Sequence, residues 1–193
     1  MTGPDNTSAR RDASRARILA AARSLFAEAG LEGASLRAVA ARAGYTPAAL
    51  YFHFPSREAI YAELLRDSLE ALRAALAGTE GFHAAALTLF DFYAARPEEL
   101  RLGLYLGAGG PASRGLGADL YPALNALLLE ALAPLLRGAS ALGDEALAAQ
   151  AFAQVVGLVV LGETRRLRLF GVAPRQLMEA QLAALLHGRE AKS

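Results

Sequence analysis

The residues best placed for chemistry cluster in one short stretch, where Thr46, Pro47, Ala48 and Ala49 are followed by Tyr51, His53 and Arg57. A phenol, an imidazole and a guanidinium can each hydrogen-bond a phosphate oxygen. The small side chains before them would let a helix sink into a DNA groove. Catalysis has no comparable set. His53, His83 and His187 are scattered without metal-ligand spacing. "GAGGPA" at 107–112 has the form of a dinucleotide fingerprint, but "SRGLGAD" follows it, and neither a helix start nor a βαβ unit surrounds it. No nucleophile sits in a recognisable elbow. The expectation is a binding protein without catalytic residues, metal or cofactor.

Those side chains need elements to hold them. Ser35 is a sound N-cap, and Leu36, Val39, Ala40 and Ala43 then form a short apolar face ending at Gly44. Thr46 caps again, with Pro47 at the first helical position, and Ala49, Leu50, Phe52 and Phe54 carry the next helix. Two short helices joined by a tight turn make a helix-turn-helix. Ala40 supplies the small residue at the crossing, Gly44 the left-handed turn, and Leu50 the side chain that points back inside. An ordinary helical hairpin is the plainer reading; the slender outward residues favour DNA.

Residues 1–13 read as a disordered arm, and Ser14 caps a helix with Ile18, Leu19, Ala22, Leu25, Phe26 and Ala29 on one stripe, closed by Gly30. Ser56 starts a long helix with Ile60, Leu64, Leu65, Leu69 and Leu72, ending near Gly78. Further helices are expected near 81–95, from Pro97, over 120–137 with a bend at Pro134, over 144–170, and from Pro174, with a Gly-rich connection at 107–119. The fold class is all-α with about nine helices. A three-helix DNA-binding domain over 14–56 precedes an effector-binding and dimerisation domain over 57–193.

Bulk properties agree. The chain has 193 residues, 54% hydrophobic and 20% charged, and no cysteine, which excludes disulfides and thiolate sites. Net charge is +1 but uneven: eight arginines face five acids in residues 1–60, while acids predominate thereafter. The polar start "MTGPDNTSARRDASRAR" lacks a signal-peptide core. Residues 146–162 are uncharged, but their length and two glutamines fit a helix buried on most sides better than a membrane span. A cytoplasmic protein without membrane contact is expected.

"LRAVAARAGYTPAALYFHFPSREAI" resembles the DNA-binding region of the tetracycline-repressor (TetR) family of bacterial transcription regulators, over roughly residues 14–65. The run Ala43, Gly44, Leu50, Tyr51, His53, Phe54, Arg57, Glu58 fits without gaps. The resemblance implies that Ser35 contacts phosphate and Arg37 a base edge or phosphate. It implies that Thr46, Pro47, Ala48 and Ala49 face the bases, and that Tyr51, His53 and Arg57 hold the backbone. Arg57 stands where the family usually has Lys, and Tyr45 where a small aliphatic residue is usual. Ala48 and Ala49 offer only apolar contacts, for instance to thymine methyls. Arg10, Arg11, Arg15 and Arg17 would add phosphate or minor-groove contacts from the arm or remain a solvated tail.

The resemblance further implies a homodimer on a palindromic double-stranded DNA operator, released by a small-molecule effector through movement of the helix that starts at Ser56. Dimer contacts are expected at Val155, Val159, Leu177, Leu182 and Leu185. Phe90, Tyr93, Tyr105, Tyr121 and Phe152 are expected around an effector pocket, favouring an apolar or aromatic ligand. The competing function is a helical adaptor that binds neither DNA nor effector.

Overall fold

Every regular element is helical in the computed structural model, which describes residues 6–107 and 120–190. There are ten α-helices among the described residues: α1 (Asn6–Gly33), α2 (Leu36–Ala43), α3 (Pro47–His53), α4 (Arg57–Leu76), α5 (Gly81–Ala95), α6 (Pro97–Gly107), α7 (Leu120–Ala131), α8 (Ala133–Ala141), α9 (Ala146–Glu163) and α10 (Pro174–Glu190). The all-α expectation holds. The Gly-rich connection, and with it most of "GAGGPA", lies outside the described residues.

Several boundaries differ from those expected. Helix α1 begins at Asn6, so residues 6–13 are helical rather than an arm, and the break comes at Gly30 (φ 70°, ψ −175°). The helix expected over 120–137 divides into α7 and α8, bent by 52°, because Pro134 cannot continue the hydrogen-bond ladder. The helix expected over 144–170 stops at Glu163. There the Thr164 hydroxyl bonds back to the carbonyls of Val160 and Leu161, and a short 3-10 turn (Arg166–Phe170) follows.

The chain divides into two compact units, residues 1–67 with 101–124, and residues 68–100 with 125–193. This division differs from the expected boundary at 56/57, since α4 supplies residues to both units. In the first unit, α1, α2 and α3 close over Ile18, Ala22, Phe26, Val39, Ala40, Leu50, Phe54, Ile60 and Tyr61, all buried. The Tyr61 hydroxyl donates to the Ala34 carbonyl at 3.1 Å, and burial pushes its pKa up to about 12.

The second unit packs α5, α8, α9 and α10 around Leu89, Phe90, Leu135, Val155, Leu158 and Met178. Helices α5 and α8 approach closely. A Cβ at Gly138 would stand 2.6 Å from the Phe82 backbone, so only glycine fits there without a shift. Helix α9 is apolar and long enough to cross a membrane by length and composition, and a third of it is buried in the structure. Its inner face is Leu147, Ala148, Ala151, Val155, Leu158 and Val159. The other side is open rather than buried on most sides.

Candidate nucleic-acid interface

Helix α2 starts at Ser35, whose hydroxyl accepts from the Ala38 N–H at 3.2 Å, and α3 starts at Thr46, whose hydroxyl accepts from Ala49 N–H at 3.2 Å. Between them Gly44 turns in the left-handed region (φ 76°, ψ 32°), and the Tyr45 N–H donates to the Ala40 carbonyl at 2.8 Å. Ala40 and Leu50 are completely buried at the crossing. This is the helix-turn-helix geometry the spacing predicts.

One outer face of this unit gathers the expected side chains. Ser35, Arg37, Thr46, Pro47 and Ala48 are exposed, Ala49 is half-buried, and Tyr51 is 54% exposed. The hydroxyls of Ser35 and Thr46 are engaged as caps, so what each presents outward is the start of a helix as much as a free side chain. His53 is half-buried. Its ring meets Tyr45 and Phe52 edge-on at 5.9 and 5.7 Å, and Nδ1 has no hydrogen-bond partner among the described residues. Arg57 is half-buried as well, its guanidinium donating to the Tyr105 hydroxyl.

Phe52 corrects the sequence reading. It was expected on the apolar side of α3 beside Leu50 and Phe54, but it is 76% exposed, with the Arg11 guanidinium 6.0 Å from its ring centre. Two residues from Leu50 is roughly 200° around a helix, so the rotation alone places it opposite the core. Arg15 and Arg17 are not a solvated tail. Arg15 donates to the His53 carbonyl at 2.9 Å, pairs with Glu63 at 3.2 Å and lies 4.3 Å over the Phe54 ring. Arg17 donates to the Ala43 carbonyl at 3.1 Å and lies over the Tyr45 ring at 5.3 Å. Both fasten α1 to the helix-turn-helix, and Tyr45, the departure from the family pattern, is the platform for one of them.

The residues expected around an effector pocket divide between the two units. Tyr105 and Tyr121 belong to the first unit, where the Tyr121 hydroxyl donates to the Gly107 carbonyl at 2.9 Å. Tyr93 is buried in the second, and that burial, reinforced by Glu99, pushes its pKa up. Phe152 packs against the same core. Phe90 alone lines a cleft, of about 290 Å³, with Ala94, Pro97, Leu158, Val159, Gly162, Glu163 and Pro174. The expected dimer residues Val155, Val159 and Leu182 are interior in the single chain, and Leu177 and Leu185 lean on the core. The small and apolar residues that α9 and α10 expose include Ala149, Ala153, Val160, Leu161, Ala180, Ala183 and Ala184, beside polar ones such as Gln150 and Gln181. No His, Asp or Glu group that would hold a metal occurs among the described residues.

Comparison with known proteins bears on this geometry. Residues 18–64 match the family model described as bacterial regulatory proteins, tetR family. The HTH-type transcriptional regulator UidR of Escherichia coli (strain K12) is 40% identical over 80 residues, 41% of this chain and 41% of that protein. The chain thus matches about two-fifths of the length of this curated relative. In solved structures, the fold is similar to that of SCO4313 (TM-score 0.75, 23% identity, covering 95% of this chain and 99% of that one). It is also similar to that of a protein from Saccharomonospora viridis in complex with choline (TM-score 0.65, 21% identity, covering 88% and 95%).

Proposed function

From a chain whose residues 18–64 match the family model of the tetR bacterial regulatory proteins, we propose a ligand-responsive repressor that binds a palindromic DNA operator as a homodimer. The observation that carries this is the exposed end of α3: Thr46, Pro47 and Ala48 project from a helix held rigidly against α1 and α2, with Tyr51 beside them. A helix this lightly clothed enters a major groove without steric conflict, and Tyr51, Arg37 and Arg57 are positioned to hold phosphates on its flanks. Ala48 and Ala49 meet bases only through apolar contacts, so Arg37 and DNA shape carry much of the sequence discrimination.

The exposed small and apolar residues of α9 and α10 support dimerisation, with Ala153, Val160 and Ala183 at the contact in place of the interior Val155, Val159 and Leu182. The cleft beside Phe90 supports a small effector. Its lining side chains are mostly apolar, which suits a small, largely apolar or aromatic effector. The choline complex of the S. viridis protein, which is similar in fold, is in keeping with a small effector. Effector binding that displaced α4 would alter the spacing of the two recognition helices. A coupling of ~1–3 kcal/mol would change operator affinity roughly 5–150-fold. Action in the cytoplasm follows from this DNA-binding reading.

The test is a footprint of the purified protein on DNA upstream of its own gene, at two salt concentrations, with Tyr51→Ala alongside. A two-fold symmetric protected site, weakened by salt and severalfold by the substitution, is expected. Absence of protection there, and of binding to any duplex at low salt, would favour a helical adaptor instead.

A further inference from the structure

Arg57 stands in the first turn of α4, and its guanidinium is held before any DNA arrives. Nη2 donates to the Tyr105 hydroxyl at 3.0 Å and lies 3.4 Å from the Glu58 carboxylate. The guanidinium carbon is 5.6 Å from the centre of the Tyr61 ring. Tyr105 meets that same ring edge-on, with centroids 6.2 Å apart at 76°. Tyr61 in turn is fully buried and tied to the Ala34 carbonyl. Four groups on α1–α2 loop backbone, α4 and α6 therefore run in one unbroken series from the core of the first unit to a surface cation.

The partners have different consequences. The Glu58 carboxylate draws the guanidinium along the helix surface and offsets its charge. The Tyr105 hydroxyl is neutral, so it fixes the direction of the guanidinium and leaves the charge intact. Arg57 has five N–H donors and its side chain remains 34% exposed, which leaves donors for an outside acceptor. An arginine already held in place gives up less rotamer freedom when a phosphate reaches it.

We propose that Tyr105 is a positioning residue for DNA binding, its hydroxyl holding the Arg57 guanidinium in the orientation that receives a backbone phosphate. The inference rests on the DNA-binding reading of the first unit. It gives Tyr105, an aromatic expected in an effector pocket, a role at the opposite end of the protein's activity.

The experiment is a double-mutant cycle of operator affinity, by fluorescence anisotropy on a duplex carrying the footprinted site. Wild type, Tyr105→Phe, Arg57→Gln and the double variant are compared across a salt series, with thermal melts in parallel. Tyr105→Phe is expected to weaken binding roughly three- to tenfold, the scale of one hydrogen bond. Arg57→Gln should weaken it further and make the slope of log K against log salt shallower by about 0.9, the signature of one lost phosphate contact. The double variant should bind no worse than Arg57→Gln. Wild-type affinity in Tyr105→Phe would overturn the proposal. So would an equal further loss on the Arg57→Gln background, since Tyr105 would then act through the fold. A wild-type chain that binds no duplex at low salt would bring down the DNA-binding reading itself, a distinct result.

Discussion

Glu28 on α1 accepts hydrogen bonds from Arg42 Nη1 at 2.6 Å and Ser24 Oγ at 2.7 Å, joining α1 to the end of α2. These bonds, Arg42 first, lower its pKa from 4.5 to about 2. A carboxylate depressed in the folded state adds stability that is complete above its ordinary pKa and fades as pH falls through the folded one. Both side chains face water, so the gain is small. Glu28→Gln should therefore melt slightly below wild type at pH 7, and the gap should close as pH falls from about 4.5 to 2. A gap that does not depend on pH would contradict this. Ion pairs of this kind are invisible in sequence, because Arg42 meets Ser24 and Glu28 only after two helices pack. The same is true of Arg15 and Arg17, read as two of four interchangeable cations until the fold gave each a carbonyl and a ring. Phe52 was legible in principle: its angle around α3 relative to Leu50 already excluded the core.

At the scale of elements, α2, α3 and α4 followed from local signals, whereas α1 starts ahead of its expected cap. Ser35, Thr46 and Ser56 accept the N–H bonds their N-cap positions predict, and Gly44 adopts the left-handed turn. The later helices were read with less precision, because Ala- and Leu-rich segments carry few such marks. Pro134 signalled a bend, and the chain there divides into two helices. Gly138 shows what the packing of α8 on α5 demands. Gly138→Ala would drive a methyl against the Phe82 backbone, and the second unit should lose about 1–3 kcal/mol by denaturant titration. Binding of DNA at temperatures where the variant remains folded should be unchanged. An unaltered midpoint would mean that α5 and α8 can separate at little cost.

For the whole molecule, the sequence pattern identified an all-helical chain and its DNA-facing end. It did not locate the seam between units, because α4 and α6 each contribute to both and no linker composition marks a boundary. The aromatic residues chosen by type for a pocket fell into separate units, and the cleft beside Phe90 is walled mostly by Leu158, Val159, Pro97 and Pro174. Dimer residues chosen for their apolarity proved to be each helix's inward face. A monomer core and a dimer interface draw on the same residue types, and only burial tells them apart.

The most direct measurement is selection of binding sites by the wild-type chain from a randomised pool of duplex DNA. Two recognition helices related by a two-fold axis predict inverted repeats with half-site centres about one helical turn, roughly 34–36 Å, or a multiple of it apart. Thymines should be enriched where Ala48 and Ala49 face the bases. Enrichment of single, unpaired half-sites would contradict the dimer. Recovery of a pool no different from the starting one would contradict the claim that α3 reads DNA at all.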